Sequence, residues 1–153
     1  MKQILPLIVA GILLTSFSVQ SFSSAGDIEA EKKAVRAVID QLYQAFDRGD
    51  FEAAERLVSE DYEFISAAGK RMDWPIIREL LEGLEATGFK AEISNMKLKI
   101  ADSTAWGAWN QLDIEMRGDK VTKAKVVITA VFEKIDGKWL WVHAHETKVE
   151  EEQ

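Results

Sequence analysis

The sequence predicts an α+β fold in which about three helices pack on the concave side of a strongly curved, mixed or antiparallel sheet. The prediction depends on the order of two apolar patterns along the chain. Apolar residues recur at helical spacing between residues 27 and 59 and again between 73 and 88, and they alternate at period two from Phe89 onward. Helices followed by a run of long strands are typical of an α+β layer and not of a doubly wound parallel sheet.

The first 25 residues have the three-part pattern of a secretory signal peptide. Lys2 gives the positive start, residues 4–14 form an apolar run, and Ser23-Ser24-Ala25 offers small side chains for cleavage. We predict cleavage near Ala25 and a periplasmic or secreted location. The apolar run is shorter than the roughly 20 residues of a spanning helix, so no stable membrane insertion is expected after cleavage.

The remaining chain predicts one domain at residues 26–149 and a solvated acidic tail at 150–153. The sequence contains 26 acidic residues, 19 basic residues and no cysteine. The acidic balance and the absence of a basic stripe argue against a nucleic-acid partner. No phosphate-binding loop is present, so no cofactor is expected, and without disulfides the stability must come from packing.

The helical part divides at a Gly-Asp pair. Gly49 is expected to end the first helix, and Asp50 is a natural N-cap for a second one at 51–58. A short strand is predicted at 62–66, followed by a turn at 67–70. Asp73 can cap a third helix that has Pro75 in its first turn and Gly88 as its stop.

Four strands are expected after residue 88. The apolar phase reverses at Ser94-Asn95, which predicts a β-bulge in the first of them. The others are predicted at Thr104–Arg117, 121–135 and Lys138–Lys148, with an Asp-Gly turn before the last. The strand at 121–135 is apolar on both faces, so a homodimer through the outer sheet face is predicted.

Two stretches resemble the nuclear transport factor 2-like superfamily. The first is LYQAFDRGDFEAA at 42–54, and the second is TAVFEKIDGKW at 129–139, which continues to His143-Ala144-His145. The second stretch resembles the closing hairpin of the SnoaL-like, ketosteroid-isomerase-related branch. The resemblance implies a cystatin-like, cone-shaped sheet around a pocket, and fold alone does not imply function.

The resemblance to ketosteroid isomerase can be checked at its catalytic positions. The general base corresponds to Ser66 and the protonated acid to Thr129, and neither can replace a carboxyl group. The catalytic tyrosine corresponds to a position next to Tyr43. Steroid isomerisation is therefore not expected. Val127 occupies a place where SnoaL-like members often have arginine, which disfavours an anionic ligand and favours an apolar one.

The two histidines are the candidate catalytic residues. His143 and His145 would share one strand face with Trp139 and Trp141, and imidazoles there could transfer protons or orient a ligand. Both could equally be hydrogen-bonded structural residues. A metal site would require a third ligand that the spacing does not mark, so no metal is predicted.

The predicted ligand-binding residues are mostly aromatic or lone polar side chains. They are Tyr43, Tyr62, Trp74, Trp106, Asn110, Thr129, Trp141 and His143. Gly107 is expected to relieve crowding between strands. Three functions stay open: an exported small-molecule-binding domain, a SnoaL-like cyclase, dehydratase or isomerase, and a homo-oligomeric assembly domain.

Overall fold

The computed structural model describes residues 25–83, 89–117 and 119–149. The predicted signal peptide, the helix stop at Gly88 and the acidic tail lie outside these residues. The elements are α1 (Ala25–Arg48), α2 (Phe51–Glu55), β1 (Val58–Ile65), β2 (Arg71–Asp73), α3 (Trp74–Gly83), β3 (Phe89–Ala101), β4 (Thr104–Arg117), β5 (Lys120–Ile135) and β6 (Lys138–Lys148). None of the helices in the described ranges is both long and apolar enough to span a membrane.

Each helix begins within two residues of its predicted start, but α2 ends at Glu55 rather than at the predicted residue 58. Gly49 has a φ of 65° after α1, and the Asp50 side chain accepts a hydrogen bond from the Ala53 N–H at 3.0 Å. Val58, predicted to be helical, begins β1 instead, four residues before the predicted start of that strand at Tyr62, and it pairs with Trp141 of β6. A buried β-branched residue gains more from this pairing than from one further helical turn.

The sheet contains six strands in the order β2-β1-β6-β5-β4-β3. The β1–β6 pair is parallel and the other pairs are antiparallel, which confirms the mixed sheet. The last three strands lie within one residue of their predicted bounds. The three-residue strand β2 was not predicted, because so short a segment carries no readable alternation.

Two β-bulges, one in β3 and one in β6, reverse the side-chain phase of their strands, and a further register shift lies in β1 between Val58 and Glu63. The first lies between Ser94 and Lys97 of β3, where Asn95 has a φ of 53°, and it confirms the predicted bulge. The second was not predicted. The partner of Val131 is His143 and the partner of Phe132 is Trp141, which leaves Val142 as the extra residue in β6.

The helices pack on one face of the sheet, here called the inner face. Glu31 of α1 accepts hydrogen bonds from Trp139 Nε1 and, at 2.6 Å, from Lys134 Nζ. These bonds hold the start of α1 against the hairpin of β5 and β6. The largest fully buried side chains are Trp109, Trp141, Phe132, Ile39 and Val35. The predicted arrangement of helices on the concave side is confirmed.

The opposite, outer face of the sheet has no helix over it within the described ranges. Its apolar row lies on β4 and consists of Trp106, Ala108, Leu112, Ile114 and Met116, around Asn110. Trp106 is 45% exposed and Met116 is 39% exposed. On β5, Val127 and Val131 are half-buried and alternate with exposed Lys125, Thr129 and Glu133. The outer apolar surface is therefore centred on β4 rather than on β5.

Candidate functional site

A cavity of about 240 Å³ lies between helices α1 and α3 and the inner face of the sheet. Of the predicted ligand-binding residues, Tyr43, Tyr62, Trp74 and Trp141 line it. The apolar part of its wall is formed by Leu42, Phe46, Val58, Phe64, Met72, Ile77, Leu80, Leu81, Phe89, Ile128 and Ala144. The cavity is slightly smaller than typical ligand pockets, which start at about 300 Å³.

Aromatic contacts fix the wall of the cavity. Tyr43 meets Trp141 edge to face with ring centroids 6.1 Å apart, and Phe46 stacks on Trp74 at 6.3 Å. Behind Trp141 lies Phe132, with the two ring centroids 5.1 Å apart. Packed aromatic pairs of this kind hold their rotamers, so the shape of the cavity is largely preformed.

A polar row runs along the inner face of β4 from the core into the cavity. The buried indole N–H of Trp109 donates to Gln111 Oε1 at 2.9 Å, and Gln111 Nε2 donates to Asp113 Oδ1 at 2.7 Å. Glu115 follows two residues later on the same face, and Glu146 joins the row from β6. Because the two bonds orient Gln111, the position of the Asp113 carboxyl group is set by the core.

The environment of Asp113 and Glu146 raises the pKa of both carboxyl groups. Burial raises the pKa of Asp113, the hydrogen bond from Gln111 opposes that rise, and the charge of Glu115 adds to it. Burial also raises the pKa of Glu146, and the charge of Asp113 raises it further, whereas a backbone hydrogen bond from Ala67 lowers it. The cavity thus holds mutually repelling acids in a low-dielectric setting.

The tyrosines of the cavity stay neutral phenols. Burial raises the pKa of the Tyr43 hydroxyl well above its usual range, and nearby Asp113 raises it further. Burial likewise raises the pKa of Tyr62. Neutral phenols offer one donor and one acceptor each, so they can orient a ligand without adding charge.

Trp74 carries a polar group that the described residues do not satisfy. The residue is 6% exposed and lines the cavity. Its indole N–H is buried and has no hydrogen-bond partner among the described residues. A buried donor without an acceptor is costly, so this N–H is an unsatisfied polar group within the cavity wall.

Four predicted ligand-binding residues lie away from the cavity. Trp106, Thr129 and His143 border a groove on the outer face, and Asn110 lies on that face as well. The expectation that His143 and His145 share a face with Trp139 and Trp141 is wrong. Val142 is the extra residue of a bulge, so the alternation shifts after Trp141, and Ala144 and Glu146 face the cavity instead.

On the outer face, His143 lies close to Glu63. His143 Nδ1 lies 3.6 Å from Glu63 Oε2, and Glu63 also pairs with Arg71 at 2.6 Å. Ser66 lies at the β1–β2 turn, where its hydroxyl accepts a hydrogen bond from the Lys70 N–H at 3.2 Å. Thr129 faces outward. The difference between Thr129 and the protonated acid of ketosteroid isomerase therefore says nothing about the acidic residues that line the cavity.

The polar residues that line the cavity were not predicted from the sequence; they are Gln111, Asp113, Glu115 and Glu146. The available signal was the row Trp109, Gln111, Asp113 and Glu115 at period two on β4. It was overlooked because the alternate row on that strand is more apolar, and an apolar row is expected to face inward. In the described part of the chain, no three His, Cys, Asp or Glu side chains converge as metal ligands would.

Comparison with known proteins identifies similar sequences and structures. A family model described as a SnoaL-like domain matches residues 35–147. No curated protein matches the sequence. Two solved structures from Novosphingobium aromaticivorans are similar. One is a proposed scytalone dehydratase, with 17% identity and a TM-score of 0.73, covering 80% of this chain and 86% of that one. The other is an NTF2-like protein with a cystatin-like fold. It has 15% identity and a TM-score of 0.68, and the match covers 84% of this chain and 92% of that one.

A third similar structure is the association domain of CaMKII from C. elegans. It shares 21% identity with a TM-score of 0.66 over 78% of this chain and 97% of that chain. At identities this low, the similarity of all three structures shows a common fold and nothing about ligands. The fold predicted from the sequence, cystatin-like and nuclear transport factor 2-like, is thereby confirmed.

Proposed function

The chain belongs to the family of SnoaL-like domains, and from that premise we propose that it is an exported protein that binds a small, mostly apolar molecule. The observation that carries the proposal is the composition of the cavity wall. Aromatic and aliphatic side chains form most of it, and a few polar groups on β4 and β6 converge at one part. Pockets of this composition bind small organic ligands through apolar contact and select them through the few polar groups.

Native mass spectrometry of the protein purified from its own cell envelope tests this proposal. The expected result is a co-purifying small molecule. Ala144→Leu adds bulk inside the cavity and should abolish co-purification of the molecule. Ile77→Trp, which fills the cavity from α3, should have the same effect. Thr129→Leu on the outer face is the matched control and should retain the molecule. Retention by both cavity-filling variants would contradict the proposal.

Acid–base catalysis of the dehydratase or isomerase type is a second candidate function. The specific observation in its favour is that Asp113 and Glu146 lie together in the cavity, where burial raises the pKa of both carboxyl groups, which is the direction a general acid requires. His143 and His145 do not support it, because they face away from the cavity. One of the similar structures is itself described as a proposed scytalone dehydratase.

Incubation with extracted metabolites tests the catalytic candidate. A dehydratase should yield products that have lost one water, detected by untargeted mass spectrometry. Asp113→Asn should remove those products, whereas Glu63→Gln, which neutralises a carboxylate on the outer face, should leave them. If the wild-type protein and Asp113→Asn give the same product profile, this candidate fails.

We further propose that the protein forms a homodimer through its outer sheet face. Exposed Trp106 and Met116 and the apolar row on β4 support this, since monomers rarely expose contiguous apolar area. Trp106→Glu should shift the mass measured by light scattering from dimer to monomer. Ile76→Glu, at an exposed apolar position on α3, is the control. A wild-type monomer at micromolar concentration would refute the dimer.

The proposed export is a separate question, which cell fractionation tests.

A further inference from the structure

We infer that the outer sheet face binds a second copy of this chain about a two-fold axis that crosses β4 between Ala108 and Asn110, perpendicular to the strands. The inference rests on the homodimer proposed above and specifies which residues of the two copies meet. Three features of the outer face carry it: an exposed indole, a groove along the same strand, and two pairs of opposite charges. All of them are arranged symmetrically about the same point.

The first two features are a protruding side chain and a groove that can receive it. Trp106 is exposed near one end of the outer face of β4. Further along this strand, a groove of about 610 Å³ lies around Leu112, with Val127 and Val149 in its wall. Pockets of this size hold drug-sized molecules, so the groove has room for an indole ring. A two-fold rotation about the midpoint between Trp106 and Leu112 places Trp106 of each copy in the groove of the other.

The ladder register places opposite charges at the same spacing on β3. Lys99 is opposite Trp106, and Glu92 is opposite Leu112. Both charged side chains are exposed, and Lys99 Nζ lies 5.8 Å from the centre of the Trp106 ring. The rotation that brings Trp106 to the partner's Leu112 therefore brings Lys99 to the partner's Glu92. Because two-fold symmetry repeats every contact, the interface contains this ion pair twice.

A second pair of opposite charges lies on β5. Glu133 is opposite Thr104, and Lys123 is opposite Ile114. Both charged side chains are exposed. Positions 104 and 114 have the same midpoint on β4 as positions 106 and 112, so the same rotation brings Glu133 to the partner's Lys123. One axis thus satisfies the indole, the groove and both charge pairs, which is the self-complementarity that an isologous interface requires.

An axis along β4, parallel to the strands, fits this face less well. It would bring Glu92 to the partner's Lys125, but it would also bring Lys90, which is opposite Ile114, to the partner's Lys123. Like charges that meet across an interface oppose association. The groove at Leu112 would then face its own copy, with no large side chain to fill it. The perpendicular axis is therefore the arrangement that the outer face favours.

Charge reversal tests the pairing, with the dimer Kd of the purified protein measured by sedimentation. Lys99→Glu and Glu92→Lys should each raise Kd about tenfold, because each places like charges together twice. The double variant restores opposite charges and should return Kd to within about threefold of the wild-type value. Lys97→Glu is the matched control on the same strand. The rotation brings Lys97 to the partner's uncharged Ser94, so this variant should change Kd by less than about threefold.

Cysteine cross-linking tests the axis directly, since the chain contains no cysteine of its own. A mixture of Thr104→Cys and Ile114→Cys chains should be joined by a short bis-maleimide. Neither variant alone should be joined, because two copies of the same position would lie about 34 Å apart, which is ten residues of strand. Cross-linking of Thr104→Cys to itself, or a double charge variant that stays as weak as the single ones, would overturn the inference and leave the homodimer standing. A wild-type monomer would overturn both.

Discussion

Replacing Gly107 with alanine tests how closely β3 and β4 pack on the inner face. A Cβ atom added at Gly107 would lie 2.5 Å from Leu98 Cδ2 and 3.0 Å from the backbone oxygen of Lys97. Unbonded carbon atoms prefer about 3.5–4.0 Å, so the Leu98 side chain has to leave its rotamer or the strands have to separate. Leu98 is directly opposite Gly107 in the β3–β4 register and cannot avoid the contact by a small slide.

The expected magnitude follows from two opposing contributions. Overpacking costs about 1–3 kcal/mol, and the loss of glycine's freedom in the unfolded chain returns about 0.4–1 kcal/mol. Taken at their midpoints, these contributions predict that Gly107→Ala lowers the free energy of unfolding by about 1 kcal/mol, which corresponds to a fall in Tm of about 3–6 °C for a domain of this size.

Thermal unfolding followed by circular dichroism measures the effect, and a double-mutant cycle assigns its cause. Leu98→Ala alone should also destabilise the protein, because it removes a side chain that packs against the core. In the double variant the new methyl group occupies vacated space, so the combined loss should be about 1 kcal/mol smaller than the two separate losses added together. An alanine variant as stable as the wild type, or strict additivity in the cycle, would refute the steric reasoning.

Three further predictions concern the cavity and its rim. Gln111→Met leaves the buried indole N–H of Trp109 without its acceptor, and urea unfolding should show a loss of about 1–3 kcal/mol; an unchanged midpoint would contradict the role of the bond. Asp113→Asn should stabilise the protein at pH 7. In the folded protein the pKa of Asp113 is raised above its ordinary value of 3.8, so protonation of this carboxyl group stabilises the folded state. That stabilisation is complete below pH 3.8 and is lost as the pH rises through the pKa of the folded state. The advantage of the variant should therefore vanish at acid pH, and a pH-independent difference would exclude this linkage. Asp73→Ala removes the acceptor of the Ile76 N–H at the start of α3 and should cost about 0.5–2 kcal/mol, with faster hydrogen exchange in α3 as the local signature.

Local rules predict the order of the helices and long strands and the bounds of the last three strands. Gly49 and Asp50 end one helix and cap the next, Asp73 caps α3, and the reversal at Ser94-Asn95 marks a bulge. Each of these signals lies within a few neighbouring residues. The fold class then follows from the order of the elements, without knowledge of any long-range contact.

The face that each strand residue occupies could not be predicted in the same way. On β4, the apolar row with Trp106 faces outward and the polar row with Asp113 faces the cavity, contrary to the expectation that the more apolar row is buried. Hydrophobicity does not distinguish a core from an uncovered outer face. Which of the two rows faces inward is decided by where α1 lies, and that is a property of the folded chain.

The extra residue at Val142 decides which side chains of β6 face the cavity. Upstream of it, Trp139 and Trp141 face inward, and downstream of it Ala144 and Glu146 do. Deleting that single codon would leave the same side chains inward, because Ala144 would then follow Trp141 at the regular spacing of two. If Val142 were kept and paired regularly in the ladder, His143 and His145 would turn inward in place of Ala144 and Glu146. Whether the last strand presents a carboxyl group or two imidazoles to the cavity therefore depends on this one bulge.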